Sequence, residues 1–202
     1  MVEIEYNNAR VKLGETDLVY EPAEDSFLLA DAALEEAEPG MRVLEVGAGS
    51  GFVSAVLRAN LENVRIIATE INPHAARCAK ENGVEVIRTD LFRGIEPQSP
   101  ETRFDLILFN PPYLPTSEME KVPGWLNYAF DGGTSGRETL DRFLDKVRVY
   151  LRPGGKILVL ISSITGVEAV QEKMEGLGFA VDIVGRKKVS FEELVVVRGR
   201  LS

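Results

Sequence analysis

The sequence predicts an α/β fold built on one doubly wound, mostly parallel sheet, and three observations predict it. Short apolar runs without alternation, such as Phe104-Asp105-Leu106-Ile107-Leu108-Phe109, read as parallel strands buried on both faces. The strand Arg42-Val43-Leu44-Glu45-Val46 runs into the glycine turn Gly47-Ala48-Gly49-Ser50-Gly51 and then a helix, the nucleotide-binding start of such a sheet. The chain closes on two strands, 179–185 and 191–198, with no helix between them. Arg186-Lys187-Lys188 is expected to form their turn, which makes them antiparallel neighbours.

A chain of 202 residues suits a single domain, expected to span 1–202. No segment is long and apolar enough to cross a membrane, and Met1-Val2-Glu3-Ile4-Glu5 lacks the features of a signal peptide, so a cytoplasmic protein is expected. One cysteine, Cys78, excludes an internal disulfide framework, and with one histidine, His74, it leaves no His/Cys metal cluster. A net charge of −9 argues against broad electrostatic capture of nucleic acid.

Taken in order, residues 1–19 are weakly patterned, with Val11-Lys12-Leu13 a candidate short strand before Gly14. Tyr20-Glu21-Pro22-Ala23-Glu24-Asp25-Ser26 opens a helix, proline suiting a first turn and Glu24 and Asp25 complementing the positive helix end. Phe27, Ala30, Leu34 and Ala37 mark one helical face, and Pro39-Gly40 ends it. This 1–40 segment is read as a cover over the nucleotide turn. After that turn, Phe52, Val53, Val56 and Leu57 give the next helix its apolar face.

The strand Val64-Arg65-Ile66-Ile67-Ala68-Thr69 ends in Glu70, a carboxylate placed to accept hydrogen bonds from both hydroxyls of a ribose. Asn72 caps the following helix, Pro73 starts it and Gly83 ends it. The strand from Val84 to Arg88 leads to Thr89-Asp90-Leu91, where Asp90 can accept from an adenine amino group and Leu91 can offer a backbone N–H.

Asn110-Pro111-Pro112-Tyr113 ends the next strand, since two prolines cannot extend a ladder. An amide or aniline-like NH2 is a poor nucleophile because its lone pair is delocalised. Two acceptors, the Asn110 side-chain oxygen and a proline carbonyl, could hold both its N–H bonds while Tyr113 stacks on the planar group. An ordinary strand-ending turn would use the same residues. The long connection 114–137 carries Trp125, Tyr128 and Phe130 among prolines and glycines and is read as a substrate-facing lid. Leu140, Phe143, Leu144, Val147 and Leu151 form a core stripe, Pro153-Gly154-Gly155 turns into the strand 156–161, and Val167, Val170, Met174 and Leu177 mark the last helix.

A nicotinamide site would want a third glycine where Phe52 stands. The order Glu45, Gly47, Gly49, Gly51, Glu70, Asp90-Leu91, then Asn110-Pro111-Pro112-Tyr113 instead resembles class I S-adenosylmethionine-dependent amino-methyltransferases. Val19-Tyr20-Glu21-Pro22-Ala23-Glu24-Asp25-Ser26-Phe27-Leu28-Leu29, with Asp131-Gly132-Gly133 through Gly136-Arg137-Glu138 to Asp141-Arg142-Phe143, is similar to the archaeal and eukaryotic branch of the HemK-type enzymes. Ser26 stands where that branch is expected to carry Thr, and keeps the hydroxyl.

The resemblance implies a seven-stranded class I methyltransferase (Rossmann-like) sheet with a terminal antiparallel pair. It also implies methylation of the glutamine side-chain nitrogen in the Gly-Gly-Gln loop of a class 1 translation release factor, with S-adenosyl-L-homocysteine as product. Tyr20 and Ser26 would hold the methionine end of the donor, Glu45, Gly47 and Gly49 the glycine turn, Glu70 the ribose, and Asp90 with Leu91 the adenine. Asn110 would touch donor and substrate, with Pro111, Pro112 and Tyr113 completing the acceptor pocket. It further implies a small zinc-binding activator adding a strand to the edge strand from Val84 to Arg88, where Val84 and Val86 share one apolar face and Ile87 adds apolar surface on the other. The residues leave open an amino-methyltransferase of adenine or guanine in nucleic acid, and a donor-binding scaffold without activity.

Overall fold

The computed structural model describes residues 2–96, 99, 102–116 and 124–201. A hairpin of β1 (Glu3–Tyr6) and β2 (Ala9–Lys12) comes first, followed by α1 (Glu24–Glu36), β3 (Arg42–Val46), α2 (Phe52–Asn60), β4 (Arg65–Glu70), α3 (Pro73–Glu81) and β5 (Glu85–Arg88). Then come β6 (Phe104–Phe109), a short 3-10 turn at Trp125–Ala129, α4 (Glu138–Val147), β7 (Leu151–Ser162), α5 (Val167–Gly176), β8 (Phe179–Lys188) and β9 (Glu193–Leu201). The seven-stranded sheet has the order β5-β4-β3-β6-β7-β9-β8, parallel from β5 to β7 and antiparallel across β7, β9 and β8.

Alternation along the strands builds a core on each face of the sheet. Val43, Ile66, Leu106, Leu108, Leu158 and Val196 meet α1 and α2 on one side; Leu44, Val46, Ile107, Phe109, Ile157 and Val159 meet α4 and α5 on the other. Complete burial of a side chain such as Leu144 or Phe143 is worth about 1.5–3 kcal/mol, so the stripe on α4 decides which way that helix faces. Glu36, near the end of α1, accepts from Lys156 of β7 at 2.8 Å and Arg198 of β9 at 2.6 Å. That pair fixes the helix along the sheet and aims its first turn at the carboxyl ends of β3 and β6. The strand order reverses between β3 and β6, so the crevice above them is a topological switch point.

The structure corrects five local expectations. The weakly patterned start is the β1–β2 hairpin, in which the candidate strand at Val11 and Lys12 is present but begins at Ala9 and stops before Leu13, and it is held where Tyr6 stacks on Phe27 with ring centroids 4.9 Å apart. The first helix begins at Glu24 rather than in the Tyr20–Pro22 stretch, and it buries Leu29, Ala30 and Ala33 while Phe27 and Leu34 are only partly covered. Pro153-Gly154-Gly155 interrupts the β6–β7 register inside β7, which already pairs at Leu151.

Arg186, Lys187 and Lys188 belong to β8, opposite Val195, Leu194 and Glu193, so the turn lies at 189–192. As β8 is an edge strand, charged side chains there can reach water or partners: Arg186 pairs with Glu193, and Lys187 with Glu24 of α1. Finally, β5 is an edge strand, but Val84 and Val86 are 4% and 8% exposed and pack with Ala68, Ala76 and Ala79 beneath α3. They serve the core and cannot offer apolar surface to a partner. Ile87, 41% exposed, points the other way.

Candidate active site

A cavity of about 790 Å³ opens at the switch point. Its floor is the glycine turn, where Gly47, Gly49 and Gly51 all have positive φ. A Cβ on Gly51 would come within 2.9 Å of Val84 Cγ2, so that glycine lets the turn pack against the residue preceding β5. A Cβ on Gly49 would meet nothing within 4 Å. The backbone there faces open space, as a close-lying ligand requires.

Two buried carboxylates brace this turn. Glu45, at the end of β3, accepts from the backbone N–H of Ser54 at 3.0 Å and from its hydroxyl, and so serves the N-terminus of α2. Burial pushes the Glu45 carboxyl up to about 7, against these two hydrogen bonds and with help from the neighbouring charge of Glu70. Glu70 accepts from Gly49 N at 2.7 Å and from Asn72 N at 2.8 Å. Burial raises its pKa as well, and the N–H bonds from Asn72, Gly49 and Ile71 oppose that. Asn72 caps α3 as expected, accepting from His74 N at 2.9 Å, and its amide also donates to Leu18 O at 2.6 Å. That bond ties the segment before Tyr20 to the cavity.

On the far wall Asp90 pairs with Arg142 of α4, and Leu91 adopts a left-handed conformation at φ 49. Part of the 114–137 connection forms the roof, with Gly124, Trp125, Leu126, Asn127, Tyr128, Ala129, Asp131 and Gly133 lining the cavity. The Trp125 ring lies 5.9 Å from the Arg88 guanidinium. Residues 117–123 of the expected lid lie outside the described residues.

At the near end α1 and β6 meet. Asp25, 4% exposed, accepts at Oδ1 from Ser26 N at 2.6 Å, from the Tyr20 hydroxyl at 3.1 Å and from the Ser26 hydroxyl at 3.2 Å. Its Oδ2 accepts from Asn110 Nδ2 at 2.9 Å. The Asn110 Oδ1 atom is buried and accepts no hydrogen bond from the described residues. Burial, with the Asp25 charge next in weight, pushes the Tyr20 phenol far up, which keeps it a donor.

The cavity wall thus includes Tyr20, Ser26, Glu45, Gly47, Gly49, Glu70, Asp90, Leu91, Asn110 and Pro112. Pro111 and Tyr113 are not part of that wall: Pro111 is buried, and the Tyr113 ring is half-buried against the core cluster, its phenol pushed up by burial and then by the charges of Asp25 and Glu192. Asp25, Asn72 and Arg142 belong to the site and escape sequence reasoning, because each has an adequate local explanation as a helix-end charge, a cap or a solvated helical residue. For Asp25 and Arg142 a local signal exists, their places within the motifs Tyr20–Leu29 and Asp131–Phe143.

The sheet order and the glycine turn at its switch point are those of the class I methyltransferases. Residues 24–123 match the family described as Methyltransferase small domain. A Methanocaldococcus jannaschii protein named "Putative protein N5-glutamine methyltransferase" is 45% identical over 185 residues, which cover 89% of this chain and 90% of that protein. Methyltransferase HEMK2 of Homo sapiens is 36% identical, over 89% of this chain and 88% of that protein. Among solved structures, the E. cuniculi Mtq2–Trm112 complex, described as responsible for methylation of the eRF1 translation termination factor, superposes with a TM-score of 0.74. It is 28% identical, over 91% of this chain and 99% of that one. The chain belongs to the HemK-type protein-(glutamine-N5) methyltransferases.

Proposed function

We propose that this chain transfers a methyl group from S-adenosylmethionine to the side-chain amide nitrogen of the glutamine in the Gly-Gly-Gln loop of a class 1 translation release factor. The observation that carries the reading is the buried, unpaired Asn110 Oδ1 at the end of β6. A buried acceptor without a partner costs about 1–3 kcal/mol, and a substrate N–H removes that cost. An amide N–H held by Asn110 has its direction set, which orients a weakly nucleophilic nitrogen for reaction.

The cavity also suits the donor. Among the described residues, Asp25, Glu70, Asp90, Asp131 and Glu138 line it against the single cation Arg142, an acidic setting for a ligand whose sulfonium and ammonium outweigh its one carboxylate. When bound, the sulfonium supplies a methyl group already activated for transfer to a nucleophile. Tyr20 and Ser26 would lie at the methionine end, Gly47 and Gly49 below the donor, Glu70 at the ribose, and Asp90 with Leu91 at the adenine. Pro112 would flank the acceptor. Trp125 and Tyr128 would exclude water as parts of a lid over 114–137. No side chain in the wall is needed as a strong base, since the nitrogen can lose its proton to water after transfer.

The partner reading rests on the edge position of β5 and on the solved relative, which is a complex with a second chain. A small zinc-binding activator would extend the sheet at β5, the zinc being its own. The enzyme would act in the cytoplasm, where its substrate works; among the described residues no helix is long and apolar enough to cross a membrane. The test is methyl transfer to purified release factor with the loop glutamine intact or replaced, with the activator present. Incorporation that depends on that glutamine supports the proposal. Incorporation into RNA or DNA alone, or donor binding without turnover, overturns it.

A further inference from the structure

We propose that Asp25 is the positioning residue that decides which way the Asn110 side chain faces. A primary amide is two-sided, an oxygen acceptor and an NH2 donor of nearly equal shape, so sterics alone do not choose between its two orientations. The chemistry of the site does distinguish them. With the oxygen toward the cavity, Asn110 accepts an N–H from the substrate amide; turned over, it would set donors against donors. The carboxylate of Asp25 makes the choice, because it only accepts and lies 2.9 Å from Asn110 Nδ2. Once the NH2 is taken, Oδ1 is left as the free acceptor, buried and without a partner among the described residues, on a side chain that lines the cavity.

Asp25 is itself held in place. Its Oδ1 receives the Ser26 backbone N–H, the Ser26 hydroxyl and the Tyr20 hydroxyl, so a shift of the carboxylate would break several bonds at once. The helix carrying it is anchored at the other end by Glu36 to β7 and β9. The sheet thereby fixes Asn110, α1 fixes Asp25, and their contact carries the orientation between them. This inference rests on the proposed acceptor role of Asn110 and adds what enforces it.

A charge swap tests it. Asp25→Asn offers Asn110 either face and should lower the single-turnover rate about 10- to 100-fold, the scale of one hydrogen bond to a charged group, with a much smaller change in KM for release factor. Asn110→Asp places two carboxylates in contact and should lose at least as much. Combining Asp25→Asn with Asn110→Asp exchanges the two groups. The amide now on α1 would donate to the carboxylate now on β6, leaving an obligate acceptor toward the cavity. The rate of this double variant should return to within about tenfold of wild type, a non-additive result. A wild-type rate for Asp25→Asn, or a double variant whose loss is the product of the two single losses, would overturn the proposal.

A second readout does not involve turnover. The Asn110 side-chain NH2 should exchange slowly with solvent in the wild-type 15N–1H spectrum and lose that protection in Asp25→Asn. Fast exchange in the wild type would overturn the assignment even if Asp25→Asn proved too unstable to assay. Protection without any methylation of release factor would refute the functional reading and leave the Asp25–Asn110 contact standing.

Discussion

Glu70 Oε2 accepts the backbone N–H of Gly49 at 2.7 Å, so the carboxylate at the end of β4 also shapes the glycine turn after β3. The ribose-binding candidate and the turn it faces are one unit. Glu70→Ala should therefore weaken donor binding by about 1.5–3 kcal/mol, the range for hydrogen bonds to a charged group, and should lower the melting temperature as well. Calorimetry and thermal unfolding on the same variant measure both. An unchanged donor affinity would remove Glu70 from the site.

Asn110→Ala removes the unpaired acceptor and leaves Asp25 Oδ2 without its donor. Its rate of methyl transfer should fall by about 2–4 kcal/mol, the cost of one preorganised polar group. Single-turnover measurements at saturating donor separate this from any loss of donor affinity. A rate within a few-fold of wild type would contradict the assigned role.

Glu45 makes stability depend on pH. Its folded pKa of about 7 lies above the ordinary 4.5, so between these values the folded chain keeps a proton that the unfolded chain releases. The stabilisation is fully present below about 4.5 and is lost as pH rises through about 7. Glu70 shifts in the same direction, so the Glu45 share must be isolated by difference. Relative to Glu45→Gln, the wild type should lose about 2–4 kcal/mol across this window. Denaturant unfolding of both proteins at several pH values gives the difference, and parallel profiles would show that Glu45 does not contribute.

At the β5 edge the two faces should respond in opposite ways. Ile87→Asp alters an exposed side chain and should change stability by about 0.5 kcal/mol or less, while abolishing co-purification with the activator. Val86→Asp places an unpaired charge beneath α3 and should cost at least about 2 kcal/mol whether or not a partner is present. Undisturbed co-purification of Ile87→Asp would move the docking surface elsewhere.

Local chemistry is what the sequence by itself determines in this protein. Two prolines stop β6 and place Asn110 at its end; Asn72 and Pro73 start α3; the spacing of Leu140, Phe143, Leu144 and Val147 gives α4 one buried face. Glycines 47, 49 and 51 announce their turn because few other residues take positive φ. Even the edge position of β5 is legible, since the switch-point topology that follows from these elements leaves that strand last in its half of the sheet.

The tertiary structure decides what depends on partners distant in the chain. Strand alternation shows that Val86 and Ile87 face opposite ways, and only the packing of α3 says which of them is covered. The run Arg186-Lys187-Lys188 carries turn-like polarity, but the register with β9 makes it strand, because an edge strand tolerates charge. Asp25 is the clearest case. An acid in the first turn of a helix is already explained by the helix dipole, and the surrounding motif marks the residue without naming its partner. Its meeting with Asn110, 85 residues along the chain, comes about only when α1 docks on the sheet.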